Sequence, residues 1–293
     1  MSSEAELAAR VATLERRLGD CEGRAKARGA VRGLGATLLA TLLTANAWIL
    51  WRGFQTLAAG RVQQHFWVIC QGAATEEQRR HAFTELIRAG NREWRSARLD
   101  HLALRGGTFD RADLRWANME GCDLTQATLM GARMRGVNLK MARLVHANLS
   151  LAELSEAVLL KADLTGATVR GARLRSASLE QAQLSNADFE GSDLSEANLL
   201  MAVLANTNLR RADLSSCNLD AADLTGADLE GANLEHASTR DANFANSNWW
   251  RAVGLPAEAI DRFKDTFAPA SAAPSELRAD YMKWLADASA PAR

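Results

Sequence analysis

The sequence predicts an all-β solenoid, a fold in which one short structural unit repeats along the chain. An apolar residue occupies every fifth position between 99 and 249, and Thr239 is the polar exception among these thirty-one places. The residue two places earlier is small, and it is alanine at twenty-three of the thirty-one places. Helices repeat about every 3.6 residues and strands every two, so a period of five indicates neither a long helix nor a long strand.

Two residues of each five-residue unit are expected to face the core. In extended backbone, a residue and the one two places before it lie on the same face, so the other three residues point to water. Leucines from opposite walls fill most of a narrow core, which leaves room only for a small second inward residue. Leu102 and Val137 depart from that rule. The apolar residues expected in the core include Leu114, Leu124, Leu164, Phe189, Leu194 and Leu224.

The repeated unit has the form Ala-Asp/Asn-Leu-x-x, as in residues 112–116 and 227–231, and it resembles the pentapeptide-repeat family. The resemblance implies a right-handed quadrilateral β-helix with four units in each coil, so that neighbours in adjacent coils are twenty residues apart. Thirty-one units would give about 7.75 coils, and a spacing of about 4.8 Å would make the rod about 37 Å long. Opposite charges then meet on adjacent coils, as for Asp113, Arg133 and Glu153.

The chain before the repeats divides into three predicted parts. Residues 1–32 form a short helix whose apolar residues recur at spacings of four and three, which fits either a coiled coil or a solitary amphipathic helix. Residues 33–51 are uncharged, and a helix of this length would span about 29 Å, near the thickness of the bilayer core. We therefore expect a transmembrane helix there, the alternative being a buried helix of a soluble cap or oligomer. Residues 52–96 are expected to form a helical linker and N-terminal cap, with a helix over 75–90.

Basic residues predict the orientation of that span. Six of them lie within residues 16–32, whereas only Arg52 and Arg61 occupy the comparable stretch after it. The positive-inside rule then predicts a single-pass protein of the bacterial inner membrane with a cytoplasmic N-terminus. If the helix does not span the membrane, a cytoplasmic protein is expected instead.

Residues 97–250 constitute the predicted rod, and residues 251–293 are expected to form C-terminal capping helices. A solenoid exposes an apolar layer and strand edges at its ends, and these must be covered. The segment 256–267, with the tryptophans before it, is expected to cover the last coil. An amphipathic helix beginning at Ser275 follows, and the sequence leaves open whether it packs on the rod or binds a partner.

No catalytic, cofactor or metal site is expected in the rod. Counting units places His101, His146 and His236 on three different walls, so they cannot share a metal ion. Cys122 and Cys217 occupy inward small positions about 23 Å apart, too far for a disulfide. The sequence contains no phosphate loop, nucleophile elbow or metalloprotease motif. The protein is therefore not expected to be an enzyme or to need a cofactor.

The expected function lies in the surface of the rod. Outward apolar residues gather on one wall and form a candidate partner surface: Met141, Val158, Leu160, Leu200 and Met201. We therefore predict a non-enzymatic, membrane-anchored scaffold whose rod binds an unidentified protein partner. The N-terminal helix would allow homo-oligomers to form.

The alternative function follows from resemblance to the quinolone-resistance branch of the family, whose members are soluble DNA mimics that bind DNA gyrase. A net charge of zero argues against direct nucleic-acid binding. The charge is uneven, since residues 97–176 hold twelve Lys/Arg against eight Asp/Glu and residues 177–250 hold three against twelve. The acidic second half resembles a DNA mimic, whereas the basic first half and the apolar N-terminal segment depart from that pattern.

Overall fold

The computed structural model describes residues 94–289 together with positions 78, 82, 83 and 86. The chain divides into two compact units, Met1–Gln55 and Thr56–Arg293, and every described residue belongs to the second unit. The helices predicted over 1–32 and 33–51 lie outside the described residues.

The rod is a β-helix-like solenoid in which each coil contains four five-residue units. Every fifth residue from 98 to 223 forms a parallel bridge with the residue twenty places later, and a final bridge joins Asn233 to Val253. Each bridge pairs one residue with one residue of the next coil and extends no further, because a turn follows at every corner. Four five-residue units in each coil predict this register of twenty residues.

Nearly every corner is a turn closed by a backbone hydrogen bond, the corner after Thr239 being the exception. The Leu114 N–H donates to the carbonyl of Arg133 in the next coil (2.7 Å), and the Leu114 carbonyl accepts from the N–H of Ala117 (3.0 Å). The second residue after each inward apolar residue has a positive φ, from Ser96 to Asn246, both at 56°. This φ is typical of the third residue of a type II turn. The sequence pattern predicts only that this place faces water, whereas the structure shows that its backbone is also left-handed.

The interior is filled by the two inward side chains of each unit. The six apolar residues expected there are each at most 1% exposed, namely Leu114, Leu124, Leu164, Phe189, Leu194 and Leu224. Leu102 and Val137 are fully buried as well. Thr207 replaces alanine at one inward place, and its hydroxyl donates to the carbonyl of Leu184 at 2.9 Å. A buried hydroxyl is tolerated there because its hydrogen bond is made within the core.

An aromatic cluster covers the first coil. The ring centroid of Phe83 lies 4.4 Å from that of Trp94 and 5.4 Å from that of Phe109. Phe83, Leu86 and Trp94 are each at most 1% exposed. The backbone is helical at positions 78, 82, 83 and 86, and the other residues of the helix predicted over 75–90 lie outside the described residues.

Three helical segments lie at the C-terminal end of the rod. A 3-10 helix, Trp249–Arg251, leads to helix α1 (Ala257–Phe267) and helix α2 (Ser275–Ser289). Phe263 of α1 is fully buried, with its ring centroid 4.6 Å from that of Phe244 in the last coil. Helix α1 therefore covers the apolar end of the rod.

Helix α1 also explains the polar exception in the inward column. Arg262 donates to the hydroxyl of Thr239 at 2.8 Å and to its carbonyl at 3.3 Å. Thr239 is 8% exposed and lies at the end of the repeats. A polar residue is accepted at this inward place because the capping helix supplies its hydrogen bond.

Helix α2 packs on the rod through a polar and aromatic contact. The Asp280 carboxylate accepts from the indole N–H of Trp250 (2.8 Å) and from Nε of Arg251 (2.8 Å). The Tyr281 ring centroid lies 4.9 Å from that of Trp250. Of the two roles that the sequence left open for this helix, the contacts correspond to packing on the rod.

The predicted localisation in the inner membrane is corrected. No helix among the described residues is long and apolar enough to cross a bilayer. Helix α1, with 11 residues, and helix α2, with 15 residues, would reach about 17 and 23 Å, short of the about 30 Å hydrocarbon core. The span predicted over 33–51 lies outside the described residues.

Candidate interaction surface

The five apolar residues of the predicted partner surface lie on one wall of the rod. Met141, Val158, Leu160, Leu200 and Met201 belong to the units centred on positions 139, 159 and 199, which stack at intervals of twenty residues or multiples of it. The exposed fractions of Met141, Val158 and Met201 are 57%, 38% and 53%. Leu160 and Leu200 are half-buried. We call these five residues the apolar patch.

The patch follows the rod axis over three coil intervals, about 14 Å at about 4.8 Å per coil. Met141 and Met201 stand at corners, with φ of 56° and 57°. The exposed Lys161 and the half-buried Glu180, both charged, lie on the same wall between the two halves of the patch. An exposed apolar group with polar residues around it is typical of a protein-binding surface.

The charge ladder predicted from the coil spacing is formed at some steps and replaced at others. Arg173 and Glu153, in adjacent coils, form an ion pair with N and O atoms 3.5 Å apart. Asp113 instead forms its ion pair with Arg115 of its own unit, with Nε and Oδ1 2.8 Å apart. The hydrogen bonds from Arg115 hold the pKa of Asp113 below its usual value. Local geometry therefore decides which neighbour a charged residue pairs with.

Side-chain amides form a second ladder that the charge pattern does not reveal. The Asn138 amide donates to Oδ1 of Asn118 at 2.9 Å, and the Asn208 amide donates to Oδ1 of Asp188 at 2.9 Å. Oδ1 of Asp188 also accepts the backbone N–H of Glu190 at 3.1 Å. The signal in the sequence is the frequent Asp or Asn directly before the inward apolar residue. These Asp and Asn side chains stabilise the corners and join the coils.

The three histidines and two cysteines that the structure describes are not brought together. His101, His146 and His236 are exposed at corners of three different walls. In the part of the chain that the structure describes, no group of three or more His, Cys, Asp or Glu side chains is placed to hold a metal ion. Cys122 and Cys217 are buried, and burial raises the pKa of Cys217 to about 12. The Cys217 thiol is therefore protonated and unreactive at neutral pH.

Comparison with known proteins identifies the repeat. Residues 108–144, 132–171, 172–211 and 202–235 match the sequence profile for pentapeptide repeats, with eight copies. No curated protein matches the sequence.

Crystal structures of several pentapeptide-repeat proteins are similar to this chain. HetL, a pentapeptide repeat protein involved in heterocyst differentiation regulation in the cyanobacterium Nostoc sp. strain PCC 7120, is 28% identical over 59% of this chain and 91% of its own, with a TM-score of 0.46. The alr5209 protein of Nostoc PCC 7120 is 33% identical over 38% of this chain and 79% of its own, with a TM-score of 0.24. QnrB1, a plasmid-mediated fluoroquinolone resistance protein, is 24% identical over 50% of this chain and 81% of its own, with a TM-score of 0.33.

Proposed function

Because residues 108–235 of this chain belong to the pentapeptide-repeat family, we propose that the protein is a non-enzymatic scaffold whose rod binds another protein. The apolar patch is the proposed contact surface, and its exposure is the observation that carries the proposal. Met141, Val158 and Met201 keep between 38% and 57% of their surface in water on one wall. Burying these side chains against a partner would stabilise a complex by the hydrophobic effect.

The rod supports this role because its surface is rigid. Backbone hydrogen bonds join successive coils, such as those from Met141 N–H to the Leu160 carbonyl and from Met201 N–H to the Asp220 carbonyl, at 2.9 and 3.0 Å. A surface held in one conformation loses little entropy on binding. Methionine side chains remain adaptable on this rigid backbone and can fit partners of different shape.

Catalysis is not favoured by the same architecture. The inward side chains form one continuous apolar core along the described length of the rod. A filled solenoid has no enclosed cleft in which reacting groups could be held away from water. Interaction through the outer walls is therefore the better-supported function.

The alternative, a DNA mimic that binds gyrase, is not favoured either. Its main support is the acidic segment 177–250, but arginines interrupt that charge. Arg210 forms ion pairs with Asp228, at 3.2 Å, and with Glu230. The side chains of this segment therefore do not present a continuous acidic column comparable to a phosphate backbone.

We also infer from the family resemblance that the four-sided coil is right-handed. Diffraction data from crystals of the protein would test the handedness, and a left-handed coil would contradict the inference.

The proposed contact surface can be tested with the variant Met141→Asp/Met201→Asp. Both residues are exposed corner residues, so the rod should keep its circular dichroism spectrum and melting temperature. Met282→Asp is the matched control, because Met282 is 62% exposed on helix α2, away from the patch. Affinity purification with the full chain and mass spectrometry would identify proteins bound by the wild type.

The expected result is at least one protein that is recovered with the wild type and with Met282→Asp and lost with the double variant. Isothermal titration with that purified protein should then show at least a tenfold weaker affinity for the double variant. The same set of proteins recovered with all three would show that the patch is not the contact surface.

A further inference from the structure

Corner side chains of this rod lie over the corner of the following coil. A Cβ added to Gly136 would come within 2.1 Å of the Trp116 ring, and one added to Gly121 would come within 2.4 Å of the His101 ring. Each of these glycines therefore makes room for a ring from the preceding coil. A third ring, that of His146, covers Gly166 in the same way, whereas the corners of Gly131, Gly171, Gly226 and Gly231 are covered by arginine, leucine or asparagine side chains.

Gly191 is a corner that no such side chain covers. The residue one coil earlier is Gly171, which has no side chain to offer, and nothing lies within 4 Å of a Cβ built on Gly191. Leu151 covers Gly171, with its Cδ2 3.1 Å from a Cβ built there. Arg211 covers Gly231 in the following coil, with its Cγ 3.6 Å from a Cβ built there. The two successive glycines therefore leave an open groove of about 480 Å³ between Leu151 and Arg211.

The groove lies on the wall opposite the apolar patch. Its lining residues belong to the units centred on positions 149, 169, 189 and 209, which are two units away from those of the patch in a coil of four. The groove is lined by the two glycines and by one apolar, one hydroxyl and three charged side chains: Leu151, Ser150, Arg170, Glu190 and Arg211.

The two arginines of the groove differ in their charge partners. Arg170 forms ion pairs with Asp188 at 3.1 Å and with Glu190 at 2.5 Å, so its charge is compensated. Arg211 is exposed, and its side chain forms no hydrogen bond or ion pair with the described residues. The groove therefore offers an apolar surface at Leu151, which is 65% exposed, and one uncompensated guanidinium at its other end.

We propose that this groove receives an aromatic side chain of a second protein, whose adjacent carboxylate pairs with Arg211. The aromatic ring would occupy the corner of Gly191 as the Trp116 ring occupies the corner of Gly136. A carboxylate fits because it supplies the charge that Arg211 lacks within the described chain. The rod then carries two binding surfaces on opposite walls and bridges two partners.

The probe for this site is the dipeptide Ac-Trp-Glu-NH2, titrated into the full-length protein and followed by saturation-transfer NMR. Ac-Trp-Gln-NH2 removes the charge of the probe, and Ac-Ala-Glu-NH2 removes its ring. We expect Ac-Trp-Glu-NH2 to bind and the glutamine peptide to bind about two- to fivefold more weakly. The alanine peptide should give no saturation transfer to its alanine methyl group.

Two variants test the two ends of the groove. Gly191→Asn fills the corner with a residue that tolerates a positive φ, as Asn186 and Asn206 already do at corners of this rod. It should abolish binding of Ac-Trp-Glu-NH2. Arg211→Gln should remove the preference for the glutamate peptide, whereas Arg111→Gln, at the equivalent corner five coils earlier, should retain it.

Three outcomes would overturn the proposal. They are no binding of Ac-Trp-Glu-NH2 to the wild type, unchanged binding to Gly191→Asn, and loss of binding in Met141→Asp/Met201→Asp. The last result would move the peptide to the apolar patch, so it would count against this groove while supporting the function proposed for the patch. Failure of the groove experiment therefore leaves the patch experiment unaffected.

Discussion

Replacing Gly136 by alanine is expected to destabilise the rod more than the same replacement at Gly191. The two glycines stand at equivalent corner places with φ of 63° and 65°, so the backbone strain of alanine is the same at both. The surroundings differ, because a Cβ at Gly136 would lie 2.1 Å from a ring carbon of Trp116 and one at Gly191 would meet nothing within 4 Å. The comparison therefore separates the free-energy cost of backbone strain from the cost of displacing the Trp116 ring.

The size of the effect follows from these contacts. Carbon atoms in contact are about 3.5–4.0 Å apart, so the indole must move by about 1.5 Å or leave its place. Trp116 is 47% exposed and can leave without opening the core, which limits the loss to about 1 kcal/mol. The strain of a left-handed alanine adds about 1 kcal/mol at either corner. We therefore expect about 2 kcal/mol for Gly136→Ala and about 1 kcal/mol for Gly191→Ala.

The assay is thermal and urea unfolding followed by circular dichroism. The expected difference between the two variants corresponds to about 2–4 °C in melting temperature. In a double-mutant cycle, Gly136→Ala should cost only the strain of about 1 kcal/mol once Trp116 is also replaced by alanine. Equal costs at the two glycines, or the same cost of Gly136→Ala with and without Trp116, would refute the reasoning.

Two further predictions concern the end of the rod and its core. Hydrogen bonds from Arg251, with a further one from Trp250, lower the pKa of Asp280, so this contact stabilises the fold above the usual carboxyl pKa of about 3.8 and is lost as the pH falls through the lowered value. Asp280→Asn should thus lower the melting temperature at pH 7 and have little effect near pH 2, and equal losses at both pH values would contradict the assignment. Burial raises the pKa of Cys217 to about 12, so peptide mapping after iodoacetamide treatment at pH 8 should find this thiol alkylated only in denaturant. Alkylation in the folded protein at the rate of a free thiol would show that Cys217 is not held in the core.

Much of the rod could be predicted because its geometry is repeated locally. The period of five, with small residues two places before the apolar ones, predicts which side chains face inward, and Leu114 and Phe189 are fully buried. The frequent glycines two places after the inward residue were a signal for positive φ, yet most corners carry other residues, such as Trp116 and Met141. The left-handed backbone at those corners is imposed by the coil and not by residue preference.

The exposure of the apolar patch could be predicted only in outline. Its five residues share one wall, but Met141 and Met201 at corners are more than half exposed, whereas Leu160 and Leu200 are half-buried. A corner residue projects from a convex turn, whereas a residue one place earlier stands beside its neighbours in the adjacent coils. The spacing in the sequence assigns both places to the surface and does not distinguish them.

By itself, the sequence determined the solenoid and its inward residues, because these depend on a short pattern that every unit repeats. The twenty-residue register followed from the resemblance of that pattern to the pentapeptide-repeat family. It also indicated that Thr239 is exceptional, but the reason is a hydrogen bond from Arg262 of the capping helix. Only the tertiary structure decided that Trp116 covers Gly136 and that Gly191 is left open. The physical reason is that a left-handed corner sends its side chain towards the following coil, a direction that spacing along the chain does not contain.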